Sequence, residues 1–312
     1  MLMVCGEALL DVFAAGNTSA GLALDAKVGG SPFNLAVGLA RLGQPAAYFG
    51  AVSTGFAGER LMRALADEGV DTGSVARSDA PTTLSLVGLD AQGVPSYAFY
   101  GQGCADRLLR AADLDRVPAH ISAVNIGSYA TVVEPIASTL RALVDRELAR
   151  GSGRAVIAYD PNIRLNVEPD LQRWRDQLAW MLPRTDLLKI SEEDLGLLQP
   201  GVAPETFAAT ALAHGVKAVV VTRGALGALG WTAQVSATVA PVPVQVIDTV
   251  GAGDTFQAAL LTWLAEHDAL SASAVGELTQ AGLHDALTFA AKAAAITCSR
   301  RGADMPRRAE LA

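Results

Sequence analysis

The sequence predicts an α/β fold, in which a mostly parallel central sheet is wrapped by helices and a small β-sheet stands over one edge as a lid. Short β-branched runs alternate with helical stretches rich in Ala, Leu and Arg, which is typical of a parallel sheet covered by helices. The chain has 312 residues, 51% of them hydrophobic, so it can bury a large core. The runs assigned to the central sheet are VNIG, RAVIAYD, DLLKI and KAVVVT.

The first two predicted elements are a strand and a helix. The opening residues are apolar, but they have no basic leader, and Glu7 and Asp11 interrupt them before a secretory core could form. We therefore interpret residues 1–13 as a first strand. In the helix that follows, Ser31 is placed to cap the N-terminus and Gly43 lies just past the C-terminus.

Two segments interrupt the alternation of strands and helices. One is residues 11–30, and the other is the pair TTLSLVGLD and PSYAFYG, joined by the turn-rich AQGV and typical of a β-hairpin. Antiparallel strands do not easily join the middle of a parallel sheet, so we expect a separate lid formed by residues 11–30 and 82–103. The simplest organisation is a single domain over residues 1–312 that carries this lid.

Composition argues against several classes of partner. The chain carries 32 acidic and 24 basic side chains, a net charge of −8, whereas nucleic-acid binding depends largely on Lys and Arg. Charged residues or glycines interrupt every apolar run before the roughly 18 residues that a membrane span needs. We expect a cytoplasmic protein with no nucleic-acid or membrane partner. Three distant cysteines, without CxxC or His spacing, indicate neither a disulfide framework nor a zinc site and should be buried.

The segment DTVGAGDTF, residues 248–256, is the most informative. Gly251 and Gly253 flank a predicted helix start, where free amides and the helix dipole can bind an anion such as a phosphate. Asp254 could accept the proton of an attacking hydroxyl while the amides of Ala252 and Gly253 stabilise charge on a transferred phosphoryl group. The same pattern also fits a tight turn in which Asp254 only complements the helix dipole.

These residues resemble a known family. DTVGAGDTF is similar to the C-terminal DTxGAGD motif of the PfkB, or ribokinase-like, carbohydrate kinases, and Gly29-Gly30-Ser-Pro-Phe-Asn34 is similar to a second family pattern. The resemblance implies a three-layer α/β/α ribokinase-like fold and an ATP-dependent sugar kinase. It covers essentially the whole chain and is strongest to bacterial fructokinases through GEALLD, YDPNIR, KISEEDL, VTRGALGALG and CSRRGAD.

The resemblance assigns catalytic and sugar-binding roles residue by residue. It makes Asp254 the catalytic base and Gly251, Ala252 and Gly253 the anion hole. It implies that the sugar hydroxyls are bound by Asp11 at the end of the first strand, by Gly30 and by Asn34. It implies that Phe99 on the lid covers the apolar face of the sugar, and that Arg164 binds phosphate or substrate. Plainer alternatives remain: a polar helix start for Asn34, core packing for Phe99 and a solvated surface position for Arg164.

ATP and metal ions follow from the same resemblance. It assigns ATP to Ser191, Thr222, Gly224, Gly227, Gly251 and Gly253, although Gly224 and Gly227 could equally be hairpin glycines. Where the family often has Asn-x-x-Glu, this chain has Ser191-Glu-Glu-Asp194, so Asp194 would hold Mg²⁺ through water, unless the pair only caps a short helix. Asp248 and Thr249 resemble a monovalent cation site, typically for K⁺, in which Pro306 replaces a hydroxyl donor.

The leading hypothesis is phosphorylation of fructose by MgATP at a terminal hydroxyl. A 2-keto-3-deoxygluconate kinase or a ribokinase would share nearly all of these motifs. A non-catalytic sugar-binding regulator would need neither Asp254 nor the paired glycines, and a nicotinamide oxidoreductase would carry a glycine fingerprint where GEALLD stands. We also expect a homodimer, because a lid of antiparallel strands leaves an edge and an apolar face that a second copy can cover.

Overall fold

The central sheet has eight strands and is parallel except at one edge. The computed structural model describes residues 1–89 and 95–311. The antiparallel pairs are those of the last three strands in the chain, and the remaining neighbours are parallel. From edge to edge the strands are β14 (Ser236–Val239), β13 (Ala228–Thr232), β12 (Ala218–Thr222), β11 (Leu187–Ser191), β10 (Val156–Asp160), β9 (Ala123–Gly127), β1 (Leu2–Cys5) and β4 (Ala46–Phe49).

Helices cover both faces of this sheet, which confirms the predicted three-layer α/β/α fold. Along β1, Leu2 and Val4 face one buried core while Met3 and Cys5 face the other, because successive strand residues point to opposite faces. Within the described residues, the helices are α1 (Ser31–Arg41), α2 (Phe56–Asp67), α3 (Ile136–Leu148), α4 (Leu171–Met181), α5 (Glu192–Leu198), α6 (Pro204–Ala213), α7 (Ala252–Glu266), α8 (Ala272–Gly276) and α9 (Gln280–Cys298). Helices α1, α7 and α9 contribute to the first core, and α3, α4 and α6 to the second.

A separate four-stranded sheet forms the predicted lid. Its order is β3 (Leu22–Gly29), β2 (Leu9–Asn17), β7 (Thr83–Leu89) and β8 (Pro95–Tyr100). The pair β7 and β8 is antiparallel, as expected for the hairpin, but β2 and β7 are parallel. The predicted turn AQGV, residues 91–94, lies outside the described residues. A third, two-stranded sheet that the sequence did not indicate joins β5 (Ala51–Ser53) to β6 (Ala76–Ser78).

Two local predictions were wrong. The opening residues form two strands rather than one, because Gly6, at φ 145°, turns the chain between β1 and β2, and Asp11 therefore lies on the lid and not at the end of the first strand. Ser31 does not cap α1. Gly30 is the N-cap, and Ser31 is the first residue of the helix, with Gly43 past its C-terminus as predicted.

Two of the three cysteines are buried, as the sequence predicted. Cys5 and Cys104 are buried, but Cys298 is partly exposed beside the large cavity described below. Among residues 1–89 and 95–311, no helix is both long and apolar enough to cross a membrane.

Candidate active site

The N-terminus of α7 is a tight turn that only glycine can make. Gly251, the N-cap, is left-handed at φ 76°, and a Cβ there would lie 2.5 Å from the Cβ of Ala303. The amide of Thr255 donates to the Gly251 carbonyl at 2.8 Å and closes the first turn. The Ala252 amide already donates to the Thr249 carbonyl at 3.2 Å, so of the two predicted anion-binding amides, that of Gly253 is the freer within the described chain.

Asp254 lies in this first turn and is held by side chains of α1. Its Oδ1 accepts a hydrogen bond of 2.6 Å from the Ser31 hydroxyl, and its Oδ2 accepts one of 3.0 Å from the Asn34 amide. The two helices can approach closely because Gly38 of α1 faces Ala258 of α7, where a Cβ on the glycine would lie 3.0 Å from the alanine Cβ. The carboxylate is 7% exposed, so it is a nearly buried acceptor at the start of a helix.

The predicted sugar-binding residues converge on the same place. A Cβ on Gly30 would lie 2.8 Å from the Glu7 carbonyl, and one on Gly29 would lie 2.4 Å from Oδ2 of Asp11. The glycine pair thus lets the chain pass beneath the Asp11 carboxylate. Burial raises the pKa of Asp11, the charge of Asp254 raises it further, and the Arg164 guanidinium opposes both.

Phe99 lies on β8 of the lid and packs at the point where the lid meets the central sheet. Its ring meets that of Tyr129 edge to face, with centroids 5.5 Å apart, and the Arg107 guanidinium lies 5.6 Å from its centroid. Tyr129 donates a hydrogen bond of 2.8 Å to Asp106, which also accepts one from Thr83 at the start of β7. The alternative reading of Phe99 as a packing residue therefore has support here.

A cavity of about 1030 Å³ opens on the other side of the α7 turn. Its lining combines polar groups with apolar side chains, which suits a ligand with a charged part and a flat apolar part. The apolar side chains include Val244, Val246 and Ala294. The predicted residues that line this cavity are Arg164, Ser191, Asp194, Thr222, Gly224, Gly227, Thr249, Ala252 and Gly253.

Gly224 and Gly227 fit both of their predicted roles. They lie at φ 52° and 86° in the connection between β12 and β13, which is an antiparallel hairpin, and a Cβ on Gly227 would lie 2.1 Å from the Val239 carbonyl. They also line the cavity together with Thr222, the last residue of β12. Arg164 is exposed and follows the C-terminal end of β10, as predicted, and within the described chain its guanidinium donates one hydrogen bond, to the Ile163 carbonyl.

Sequence reasoning assigned no role to Lys189, although it lies beside the predicted anion-binding turn. Its Nζ lies 2.7 Å from Oδ2 of Asp160, and both side chains are almost fully buried. The same Nζ lies 3.2 Å from the position that a Cβ would take on Gly253. The sequence did contain a signal for such a role, since a lysine lies within the apolar run DLLKI and buried lysines are rare unless they are paired.

Ser191 caps α5, as the plainer reading held. Its hydroxyl accepts a hydrogen bond of 3.0 Å from the Asp194 amide, but the Asp194 carboxylate does not return the bond and instead accepts one of 3.3 Å from the Ile163 amide. Burial raises the pKa of Asp194 to about 6, and the charge of Asp160 contributes. Mg²⁺ in kinases keeps several waters and is held by one or two carboxylates together with phosphates, so Asp194, which lines the cavity together with Glu192 and Glu193, fits that ion.

Asp248 joins two loops. Its Oδ1 accepts a hydrogen bond of 3.0 Å from the Val250 amide and its Oδ2 one of 2.8 Å from the Gly302 amide. Each carboxylate oxygen accepts one hydrogen bond and keeps a further lone pair, so Asp248 joins two loops and can still contribute to the predicted monovalent cation site. Thr249 contributes its carbonyl to the first turn of α7.

Asp254 therefore lies between two groups of residues with different chemistry. On one side are Asn34, Gly30 and Asp11, which can bind hydroxyl groups. On the other is the cavity, whose lining includes Gly253 and Lys189. A carboxylate in this position can take a proton from a hydroxyl while the helix start stabilises an anion.

Comparison with known proteins identifies the family of the chain. The family model described as "pfkB family carbohydrate kinase" matches residues 1–309. The chain is 36% identical over 285 residues to a fructokinase from Rhizobium leguminosarum bv. trifolii, covering 91% of this chain and 86% of that protein.

Solved structures of similar architecture include two bacterial fructokinases. That of Xylella fastidiosa with bound ATP has a TM-score of 0.87 and 27% identity, and covers 99% of this chain and 96% of that one. That of Vibrio cholerae O395, in its form with fructose, ADP and calcium ion bound, has a TM-score of 0.81 and 27% identity, and covers 99% of this chain and 97% of the other.

Proposed function

Because the chain belongs to the pfkB family of carbohydrate kinases, we propose that it transfers the γ-phosphoryl group of ATP to a terminal hydroxyl of fructose, giving fructose 6-phosphate. The observation that carries this proposal is the position of Asp254. It is hydrogen-bonded to Asn34, and it lies in the first turn of α7, directly after Ala252 and Gly253, which line the large cavity. The choice of fructose rests on the fructokinase relatives and on the Vibrio cholerae structure, which contains fructose and ADP.

In the proposed reaction Asp254 is the general base. The hydroxyl proton moves to its carboxylate, the sugar oxygen forms a bond to the γ-phosphorus, and the bond between that phosphorus and the β–γ bridging oxygen breaks to release ADP. The Gly253 amide and the positive end of α7 stabilise charge on the transferred group, with Gly251 shaping the turn and Ala252 beside it. Asp11, Gly30 and Asn34 orient the sugar hydroxyls, and Phe99 covers the apolar face of the sugar.

The cavity accommodates the nucleotide. Thr222, Gly224 and Gly227 would line the nucleoside part, and Ser191 would lie near the phosphates. Lys189 and Arg164 supply the positive charge that the triphosphate requires, since both line the same cavity. Asp194 would hold Mg²⁺ through water, and the ion would neutralise charge on the phosphate oxygens.

We also propose a homodimer formed through the lid. Leu22 and Leu24, on the edge strand β3, are 55% and 52% exposed, and an open strand edge with apolar side chains is a surface that a second copy can cover. Sedimentation at micromolar concentration tests this, and a monomer there would contradict it.

A sugar panel with MgATP tests the proposed function. Initial rates with fructose, ribose and 2-keto-3-deoxygluconate should give the highest kcat/KM for fructose. A much higher value for either alternative would assign the chain to a neighbouring activity within the same family. If none of the three sugars leads to ADP formation but a sugar still binds tightly, a non-catalytic sugar-binding regulator would be favoured.

A further inference from the structure

Ser31 has no role in the reaction as described above, yet it makes the shorter of the two bonds to the base. Its hydroxyl donates to Oδ1 of Asp254 at 2.6 Å, across 223 positions of sequence. It does not serve the helix on which it lies, because the N-cap of α1 is Gly30 and no side chain caps that end. Its only side-chain hydrogen bond in the described residues is to Asp254.

The two oxygens of Asp254 are held from a single turn of α1. Ser31 and Asn34 are three residues apart, so their side chains lie on the same face of the helix. Asn34 binds Oδ2 through an amide, which can turn toward a sugar hydroxyl, whereas Ser31 has a single short arm fixed at the first helical position. When a sugar enters, Oδ2 can exchange its partner while Oδ1 remains bound.

We propose that Ser31 is a positioning residue that fixes Oδ1 of Asp254, so that Oδ2 faces the hydroxyl to be phosphorylated. This inference rests on the proposed function of Asp254 as the base. A hydrogen bond from a hydroxyl to a carboxylate is charge-assisted and directional, so it restricts rotation of the carboxylate about its Cβ–Cγ bond. Without it, the carboxylate can turn within its pocket and lose alignment with the acceptor.

The loss of this bond should affect turnover rather than binding. A misplacement of about 1 Å in a reacting group can cost about 10²-fold in rate, so Ser31→Ala should lower kcat by about 10- to 100-fold. The KM values for sugar and ATP should change by no more than about three-fold, since neither ligand needs the Ser31 hydroxyl. Ser31→Cys keeps the shape but has only a weak S–H donor, so it should behave like Ser31→Ala. Ser31→Thr keeps the hydroxyl and should remain within about three-fold of the wild type.

The test is a double-mutant cycle in kcat, using the sugar that the wild type phosphorylates best. Ser31→Ala, Asp254→Asn and the double variant are compared, with Ser138→Ala in the first turn of α3 as the matched control that should keep full activity. We expect the Ser31→Ala loss to vanish in the Asp254→Asn background, because the hydroxyl then has no base to position.

Three results would overturn the proposal: an unchanged kcat in Ser31→Ala and Ser31→Cys, an equal loss in both backgrounds, or a Ser31→Thr variant as slow as Ser31→Ala. Each of these leaves a wild-type enzyme that still phosphorylates sugar, so they are distinguishable from failure of the proposed function. A wild type that phosphorylates no sugar would remove both.

Discussion

The Nζ of Lys189 lies 2.7 Å from Oδ2 of Asp160 in a nearly buried pair next to the turn that begins α7. Asp160 is the last residue of β10 and Lys189 lies near the end of β11, so the C-terminal ends of two adjacent parallel strands bring them together. Oδ1 of Asp160 has no hydrogen-bond partner among the described residues. The ammonium therefore neutralises a buried carboxylate and also faces the predicted phosphate site.

Lys189→Met should reduce both stability and turnover. Removal of one partner of a buried ion pair leaves an unpaired charge, which typically costs about 3–5 kcal/mol of unfolding free energy. The double variant Lys189→Met/Asp160→Asn removes that charge and should recover much of the loss in urea unfolding. If the double variant is no more stable than Lys189→Met alone, Lys189 does not stabilise the fold by pairing with Asp160.

The activity of the same double variant separates a role of Lys189 in nucleotide binding from its role in the buried ion pair. We expect its KM for ATP to remain well above that of the wild type even where its stability has recovered, because a cation beside the phosphates is still missing. A wild-type KM for ATP would remove Lys189 from the nucleotide site.

Gly253→Ala should impair nucleotide handling without unfolding the protein. A Cβ there would meet only the flexible end of Lys189, at 3.2 Å, so the fold can accommodate it, but the methyl group would stand where the γ-phosphate approaches the backbone amide. Steady-state kinetics should therefore give a raised KM for ATP and a lowered kcat. Gly282→Ala, in the first turn of α9, is the matched control, and equal effects of both changes would contradict this account.

The features that could be predicted from the sequence depend on residues that are close together along the chain. The start of α7 follows from two glycines around an alanine, and the hairpin of β7 and β8 from two β-rich runs with a turn between them. The parallel pairing of β2 with β7 could not be predicted in this way, because it joins segments that are distant in sequence.

The same limit applies to the site. From its neighbours in the sequence, Ser31 was predicted to cap a helix, since Ser before Pro favours that position. Its hydroxyl reaches Asp254 only because α1 packs against α7, which residues close in sequence do not reveal. Lys189 and Asp160 likewise meet only once the parallel sheet is formed.

Glu7 should make stability fall as pH rises. Burial raises the pKa of this carboxyl from 4.5 to about 7, so the stability that its protonated form contributes is complete below about pH 4.5 and is lost as pH rises to about 7. The side chain of the Glu7→Gln variant stays neutral. Its unfolding free energy minus that of the wild type should therefore increase by about 2 kcal/mol from pH 5 to pH 8. Urea unfolding at both pH values measures this, with exposed Glu277→Gln as the control. A pH-independent difference would contradict it.

Fructose should slow hydrogen exchange in the lid. Phosphoryl transfer to a sugar must exclude water as a competing acceptor, so the lid should close when the sugar binds. We expect protection of amides in β7, Thr83–Leu89, with no change in β13, Ala228–Thr232, on the far side of the nucleotide cavity. Equal exchange of β7 with and without fructose would mean that the lid does not respond to the sugar.

The central claim is that Asp254 takes the proton of the sugar hydroxyl, and the most direct test is kcat of Asp254→Asn. The change keeps the size of the side chain but removes its ability to accept a proton. General base catalysis contributes about 10²–10⁴-fold, so kcat should fall by at least that order while fructose and ATP affinities change only a few-fold. If Asp254 only complemented the dipole of α7, the substitution would cost at most about 1 kcal/mol of stability and leave turnover nearly intact. Initial rates and fructose binding, measured on the folded variant, decide between these outcomes: a large loss of kcat with intact binding is the predicted result, and near-normal turnover would contradict the account.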